Sequence, residues 1–222
     1  VSSVQKGDPH RPYRGVAAST QKLEEVFSGS GKYVVRANIQ SGPSSTWTDM
    51  VKGTIPVDAS LVEDWILIRS NGMPTYNFAV VVDDYEMDIT HVIRGEDHIA
   101  NTAKHILVQE AFGFDQPQYA HLSMILASDK SKLSKRHGAT SIAEYRESGY
   151  LSDALVNYMV LLGWTPKNSQ REVLTKNEII EQLAFEDIHR SGAIFDIKKL
   201  NWINSEYIKM ENDEGLARLV QP

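Results

Sequence analysis

The stretch THVIRGEDHIANTAKHILVQEAFG, residues 90–113, joins two different periodicities. Residues 90–94 predict a short strand. Residues 97–112 predict a helix that ends at Gly113, because apolar side chains recur mostly at three- and four-residue steps: Ile99, Ala103, Ile106, Leu107 and Ala111. Strands that alternate with helices favour an α/β layer with a parallel sheet.

Upstream of this stretch, residues 71–74 (NGMP) predict a turn, and residues 78–82 (FAVVV) form a continuous apolar run. Periodicity alone leaves this run open as a buried strand or a helix. Residues 32–39, 47–55 and 65–69 predict short strands, and residues 19–27 a short helix. Together, residues before 70 predict a small α+β unit.

Downstream, residues 119–126 predict an extended stretch, and four segments after it predict helices: 141–148, 152–162, 175–184 and 197–210. Ser152 and Thr175 are candidate N-caps, and Thr175 with Glu178 has capping-box spacing. The change from mixed to helical patterning places a domain boundary near Gly149. Trp164, Phe195 and Trp202 are expected in the core of this helical part.

Composition excludes several classes of protein. The 222 residues contain no cysteine, which removes disulfides, thiolate zinc sites and cysteine nucleophiles. No apolar run approaches the roughly 18 residues of a membrane span, and the N-terminal residues lack the apolar core of a secretory signal. The net charge of −6 removes a global basic field, but a local basic patch remains possible for phosphate contacts.

Such a patch lies in residues 131–138, SKLSKRHG. Lys132 and Lys135 place two flexible cations three residues apart in a loop rich in small residues, which suits a phosphate whose charge grows during a reaction. A solvated basic loop with no ligand explains the same letters when they stand alone. The loop follows the apolar extended stretch and precedes the helical part, and this context favours function.

In that context the loop resembles the KMSKS loop of class I aminoacyl-tRNA synthetases. The resemblance extends, in the family's order, to four further segments of glutamyl-tRNA synthetases: PTYNFAVVVDD (74–84), HVIRGEDH (91–98), ALVNYMVLLGW (154–164) and SGAIFDIKKLNW (191–202). It covers roughly residues 45–210, while residues 1–44 match faintly. The chain therefore resembles a glutamyl-tRNA synthetase.

The resemblance implies site residues. Tyr76 and Asn77 match the segment that contacts bound glutamate, and Arg94 matches an arginine that pairs with a glutamate carboxylate. A guanidinium binds a carboxylate through a two-pronged, permanently charged fork, so this role is chemically sound. A core aromatic and a structural ion pair are the alternatives for Tyr76 and Arg94.

For ATP, the resemblance implies that Lys132 and Lys135 are catalytic, stabilising the phosphates and the leaving pyrophosphate, with Ser134 and Arg136 also in the ATP site. The implied reaction forms glutamyl-adenylate and then transfers glutamate to tRNA(Glu), with release of AMP and pyrophosphate. Mg²⁺ is expected with ATP, held largely by phosphates and water. The other expectations are a monomer without membrane contact, in the bacterial cytoplasm or, in a eukaryote, in mitochondria or plastids.

The implied fold is α/β. Residues 1–65 would belong to an inserted acceptor-binding α+β region, 66–149 to the second half of a Rossmann-type catalytic domain, and 150–222 to a helical stem-contact domain. The family's HIGH motif and anticodon-binding domain have no counterpart here. We therefore expect a fragment of a longer ligase, inactive alone. The alternatives are a short synthetase-like protein that modifies a tRNA nucleotide, and a catalytically silent paralogue that binds tRNA.

Two other groups are weighed against ordinary structural roles. Asp83 and Asp84, if on a strand, would point to opposite faces and could not share a site, so turn capping is the better reading. His91, His98 and His105 recur every seven residues, and the last two could share a helix face. No third ligand accompanies them, so we predict no metal site.

Overall fold

The computed structural model describes residues 34–37, 45–57, 62–134, 141–166 and 171–219. The helix predicted at 19–27 and most of the strand predicted at 32–39 lie outside these residues. The chain divides into two compact units. The first comprises Val1–Asp49, Gly53–Val92 and His98–Tyr119, and the second comprises Met50–Lys52, Ile93–Asp97 and Ala120–Pro222.

The strands of the described residues form one four-stranded sheet and two short pairs. Their bounds are β1 (Val35–Arg36), β2 (Ser45–Asp49), β3 (Gly53–Val57), β4 (Ile66–Ile68), β5 (His91–Gly95), β6 (Gln118–Leu122), β7 (Ile125–Leu126) and β8 (Ala193–Ile194). The larger sheet has the order β3-β2-β6-β5, β1 pairs with β4, and β7 pairs with β8. Pairing of β2 is antiparallel to β3 and parallel to β6, so the sheet is mixed rather than parallel as predicted.

The single strand predicted at 47–55 is wrong, because this segment contains a hairpin. Strands β2 and β3 run antiparallel, with Trp47 opposite Ile55 and Asp49 opposite Gly53. A three-residue loop joins them, and Gly53 has the positive φ of 80° that such connections commonly need. The loop carries Lys52 at its tip, which matters for the site described below.

Helix α1 (Tyr76–Glu86) contains the apolar run that the sequence left open. Its N-cap is Thr75, whose hydroxyl donates a hydrogen bond of 2.7 Å to the Ile66 carbonyl, so the helix start is tied to β4. Val81 is fully buried within the helix. Asp83 and Asp84 therefore lie on a helix, and the argument from opposite strand faces does not apply to them.

Residues 90–113 fold as a strand followed by a helix, as predicted. Strand β5 leads through one 3-10 turn, Glu96–His98, into helix α2 (Ile99–Phe112). Gly113 ends this helix with a left-handed φ of 69°, a conformation that glycine adopts without a Cβ penalty. One face of α2 buries two clusters in the first unit, Trp47, Val57, Ile106 and Tyr119, and Trp65, Val81 and Val108.

The second unit contains the predicted helices. They are α3 (Ile142–Glu147), α4 (Ser152–Gly163), α5 (Lys176–Gln182) and α6 (Ile197–Met210). A further helix, α7 (Asp213–Leu219), follows them and was not predicted. Thr175 and Glu178 form the predicted capping box at α5. The N-cap of α4 is Leu151 rather than Ser152, and it lacks a side-chain cap because Ser152 is already the first helical residue.

Two clusters form the core of the second unit: Tyr145, Ala154, Leu155, Tyr158, Leu200 and Ile203, and Trp164, Leu174 and Ile179. Phe195 packs edge-on against Tyr158, as expected for a core aromatic. Trp202 is 44% exposed, so its predicted core position is wrong. It directly precedes the buried Ile203 on α6, and adjacent helical residues point about 100° apart, so the two side chains do not share one face. In the part of the chain described, no helix combines the length and apolar character that crossing a bilayer requires.

Candidate active site

Tyr76 and Asn77 stand at the first turn of α1, directly after Pro74 and the N-cap Thr75. Tyr76 is 52% exposed, so it is not a core aromatic. The side-chain oxygen Oδ1 of Asn77 lies 3.1 Å from Nε2 of His105 on α2. The first unit therefore holds these two predicted residues side by side at the start of a helix. Asn77 is anchored by His105, and Tyr76 is exposed to solvent.

Two imidazoles flank the Tyr76 ring. The ring of His105 lies edge-on at a centroid distance of 5.9 Å, and the ring of His98 lies tilted at 6.5 Å. His105 is 1% exposed, while Nδ1 of His98 lies 3.2 Å from the Asn101 side-chain nitrogen. His98 lies in the 3-10 turn before α2 rather than on the helix itself, and Tyr76 packs against both His98 and His105.

Arg94 lies near the end of β5, and its hydrogen-bond partner belongs to the same unit of the chain, the second. Its Nε donates a hydrogen bond of 3.2 Å to Nε2 of His121, which is fully buried on β6. The accepting nitrogen carries no proton, so His121 offers a neutral, fixed partner. This contact orients the guanidinium through Nε, the nitrogen nearest the aliphatic stem.

Glu96 and Lys52 form an ion pair in the second unit, and further hydrogen bonds support both side chains. The ammonium of Lys52, at the hairpin tip, lies 2.5 Å from Glu96 Oε2 and donates to Ser123 Oγ and the Arg190 carbonyl at 2.8 Å each. The other oxygen of Glu96 accepts from the Met124 backbone N–H at 3.0 Å. These bonds fix the segment that joins Arg94 to α2.

The pKa of Glu96 reflects this pairing. Burial alone would raise the pKa, but hydrogen bonds from Lys52 and from the Met124 N–H, together with the Lys52 charge, bring it below the ordinary value of 4.5. The charged carboxylate is thus the stable form at neutral pH.

Asp97, the next residue, binds the first loop lysine. Its Oδ2 lies 2.8 Å from the Lys132 ammonium, and both side chains are about half exposed. A Cβ on Gly95 would stand 2.6 Å from Asp97 Oδ1, so the glycine leaves the space into which this carboxylate folds. The pair is solvent-accessible and therefore of small intrinsic stability, which leaves Lys132 available to a stronger anion.

The base of the basic loop is a short hairpin. Lys132 forms an isolated antiparallel β-bridge with Leu126 through the backbone. The Leu133 N–H donates to the Ile125 carbonyl at 3.0 Å, and the Ala127 N–H donates to the Ser131 carbonyl at 2.8 Å. Strand β7 in this base pairs in parallel with β8. Lys132 is thereby anchored at the loop base and Ser134 lies two residues beyond it, while Lys135 and Arg136 lie outside the described residues.

The predicted residues thus fall into two groups, Tyr76 with Asn77 in the first unit, and Arg94 with Lys132 in the second. Sequence reasoning did not find the supporting residues Lys52, His105 and His121. The seven-residue histidine spacing did draw attention to His105, but only as a candidate metal ligand. Lys52 gave no local signal, because its partners are 44, 71 and 138 residues away.

A family model described as tRNA synthetases class I (E and Q), catalytic domain, matches residues 3–202. The chain belongs to this family. The match starts much earlier than the faint resemblance of residues 1–44 indicated, and it confirms the class I resemblance.

The similar proteins described next are all named for one amino acid, glutamate. The chain is 45% identical over 202 residues to glutamate–tRNA ligase 2 of Thermoanaerobacter pseudethanolicus, covering 91% of this chain and 42% of that protein. It is 46% identical over 209 residues to glutamate–tRNA ligase of Natranaerobius thermophilus, covering 93% and 43%. The crystal structure of a glutamate tRNA ligase from Elizabethkingia meningosepticum in complex with its amino acid matches with a TM-score of 0.80 and 34% identity, over 89% of this chain and 43% of that one. The chain thus spans about two fifths of the length of these relatives.

Proposed function

We propose that the natural protein joins L-glutamate to tRNA(Glu), using ATP to form glutamyl-adenylate and releasing AMP and pyrophosphate. The observation that carries this proposal is the identity of about 45% to proteins named glutamate–tRNA ligase, maintained over nine tenths of the chain. The exposed Tyr76 and the anchored Arg94 and Lys132 are side chains of the kind that this reaction needs.

For glutamate, Tyr76 and Asn77 contact the amino acid and Arg94 pairs with one of its carboxylates. Support comes from chemistry, because a guanidinium oriented through Nε by His121 keeps its terminal nitrogens directed as a fork. Tyr76, which is 52% exposed as a residue, adds a neutral polar contact through its hydroxyl, and Asn77 adds one through its amide.

For ATP, Lys132 and Lys135 neutralise charge on the phosphates as the glutamate carboxylate attacks the α-phosphate and the bond to pyrophosphate breaks. Ser134 and Arg136 belong to the same site. The weak, exposed pair of Lys132 with Asp97 supports this role, because a polyphosphate offers the ammonium more negative charge than one carboxylate does. Both chemical steps rely on positioning and charge stabilisation rather than on a general base.

Mg²⁺ accompanies ATP in this proposal as part of the nucleotide substrate. Among the described residues, no group of three His, Cys, Asp or Glu side chains is arranged to hold a metal ion. Phosphates and water are the usual ligands of Mg²⁺ at nucleotides, and the nucleotide carries the cation in this proposal.

We further propose the division of the chain into acceptor-binding (1–65), catalytic (66–149) and stem-contact (150–222) parts, with tRNA(Glu) as the macromolecular partner of a monomer. The proposed compartment is the bacterial cytoplasm, or a mitochondrion or plastid if the source is eukaryotic.

The test of the proposal is amino-acid-dependent exchange of labelled pyrophosphate into ATP by the natural polypeptide, with and without tRNA(Glu). We expect exchange with glutamate and little with aspartate or glutamine. Equal exchange with all three amino acids, or none with glutamate in the presence of tRNA(Glu), would refute the assigned substrate.

A further inference from the structure

His105 is a buried polar side chain with a defined partner at the proposed glutamate site. It is 1% exposed on α2, and its Nε2 lies 3.1 Å from Oδ1 of Asn77. Since an amide oxygen can only accept, the imidazole donates from Nε2–H. A buried donor without its acceptor is costly, so this bond holds both side chains in place.

The bond has a consequence for the other end of the Asn77 amide. An asparagine amide can rotate by half a turn to exchange its oxygen and nitrogen, and only its hydrogen-bond partners decide between the two orientations. With Oδ1 engaged by His105, the NH₂ group must point the other way. Within the described chain the Asn77 nitrogen has no acceptor, and the side chain is partly exposed.

We propose that His105 is a positioning residue that locks Asn77 as a hydrogen-bond donor, so that the glutamate site presents NH₂ to a carboxylate oxygen of the amino acid. The inference rests on the proposed function. His105 does not touch the substrate in this account. It acts through Asn77, and its ring also packs edge-on against Tyr76.

The chemical class of ligand follows from the locked orientation. A fixed NH₂ donor meets either carboxylate oxygen favourably, whereas a side-chain carboxamide can turn its own NH₂ toward it and lose the bond. If Asn77 could rotate freely, this difference between an acid and an amide would shrink. His105 therefore contributes to selecting glutamate over glutamine.

The test compares three variants of the natural polypeptide in pyrophosphate exchange. His105→Leu keeps the bulk but removes the donor, and we expect a KM for glutamate about tenfold higher, with kcat and the KM for ATP changed less than about threefold. His105→Gln returns an NH donor near the position of Nε2, and its KM for glutamate should stay within about threefold of the native value. The preference for glutamate over glutamine should fall in His105→Leu and return in His105→Gln.

Asn77→Ala completes a double-mutant cycle with His105→Leu. If His105 acts through Asn77, the double variant should be no worse than Asn77→Ala alone. His91→Gln is the matched control, because His91 is exposed and its Nδ1 contacts the neighbouring Thr90 hydroxyl. It should leave all constants unchanged.

The results separate this inference from the proposed function. A native protein without glutamate-dependent exchange overturns both. A native protein that is active, with an unchanged KM in His105→Leu, an unrescued defect in His105→Gln, or additive effects with Asn77→Ala, overturns the positioning role alone. If His105→Leu does not fold, Asn77→Ala and His105→Gln decide: the role requires a raised KM in the first and a near-native KM in the second.

Discussion

At the scale of residues, three of the side chains proposed to meet substrate are held by partners that sequence reasoning did not assign. Arg94 is bound by the buried His121, Asn77 by the buried His105, and Lys132 by Asp97. The proposed substrate contacts could be predicted because they sit in recognisable segments. Their partners could not, because a buried histidine 27 or 28 residues away leaves no pattern in the sequence.

Replacing Arg94 by alanine should weaken glutamate binding. A charge-assisted bond contributes about 1.5–3 kcal/mol, so the KM for glutamate should rise roughly 10- to 100-fold. Arg94→Lys keeps the charge but loses the two-pronged geometry. Its KM for glutamate should therefore lie between those of the native protein and Arg94→Ala. The measurement is glutamate-dependent pyrophosphate exchange with the melting temperature as a control. An unaltered KM in Arg94→Ala would show that Arg94 serves only to support His121.

Glu96→Gln should change how stability depends on pH. Because the pKa of Glu96 is lowered in the folded state, its stabilising effect is full well above pH 4.5 and is lost as pH falls through the folded pKa. At pH 7 we expect the variant to be less stable by about 1–3 kcal/mol. The gap should narrow as the pH falls below 4.5 and through the lowered folded-state pKa, because native Glu96 then becomes protonated and neutral like glutamine.

Urea unfolding of the natural polypeptide at several pH values measures this difference. Glu181→Gln is the matched control, since Glu181 is an exposed glutamate on α5. A gap that is absent at pH 7, or that widens as the pH is lowered below 4.5, would contradict the role assigned to the Lys52–Glu96 pair.

At the scale of elements, patterning predicted helices more reliably than strands. Helix α2 in residues 90–113 and the capping box at α5 were predictable because amphipathic spacing and N-cap chemistry are local. The run at 78–82 became a helix because Thr75 ties its start to β4 and Val81 packs into the core, both of which are tertiary effects. The hairpin loop Met50–Lys52 was missed because residues 47–55 were read as one strand, and which residues pair across a hairpin is a tertiary property.

Gly192→Ala should disturb the pair β7–β8 that anchors the loop base. A Cβ there would lie 2.7 Å from the Met124 carbonyl oxygen and 3.2 Å from the Leu126 side chain, and backbone cannot move aside cheaply. We expect a loss of about 1–3 kcal/mol in stability and a lower kcat in pyrophosphate exchange. Urea unfolding and exchange kinetics check both.

Gly163→Ala is the matched control, because a Cβ at the end of α4 meets nothing within 4 Å. Alanine is the better helix former, so this variant should match or slightly exceed native stability. Equal destabilisation by the two substitutions would contradict the close approach at Gly192.

At the scale of the whole molecule, the family was predictable from the order of several motifs rather than from any one of them. The KLSKR loop alone could have been a solvated basic loop, and it became informative beside the segments at 74–84 and 91–98. The family match over residues 3–202 confirms that reading. The mixed sheet was not predictable, because strand direction depends on which strands pair, and pairing is a long-range property.

The most direct test of the central claim is transfer of labelled glutamate to purified tRNA(Glu) by the natural polypeptide with ATP. Our account predicts tRNA that carries glutamate through a base-labile ester, in a reaction that requires ATP. Binding of tRNA that weakens with salt but yields no charged product would contradict it, and would indicate the catalytically silent paralogue instead.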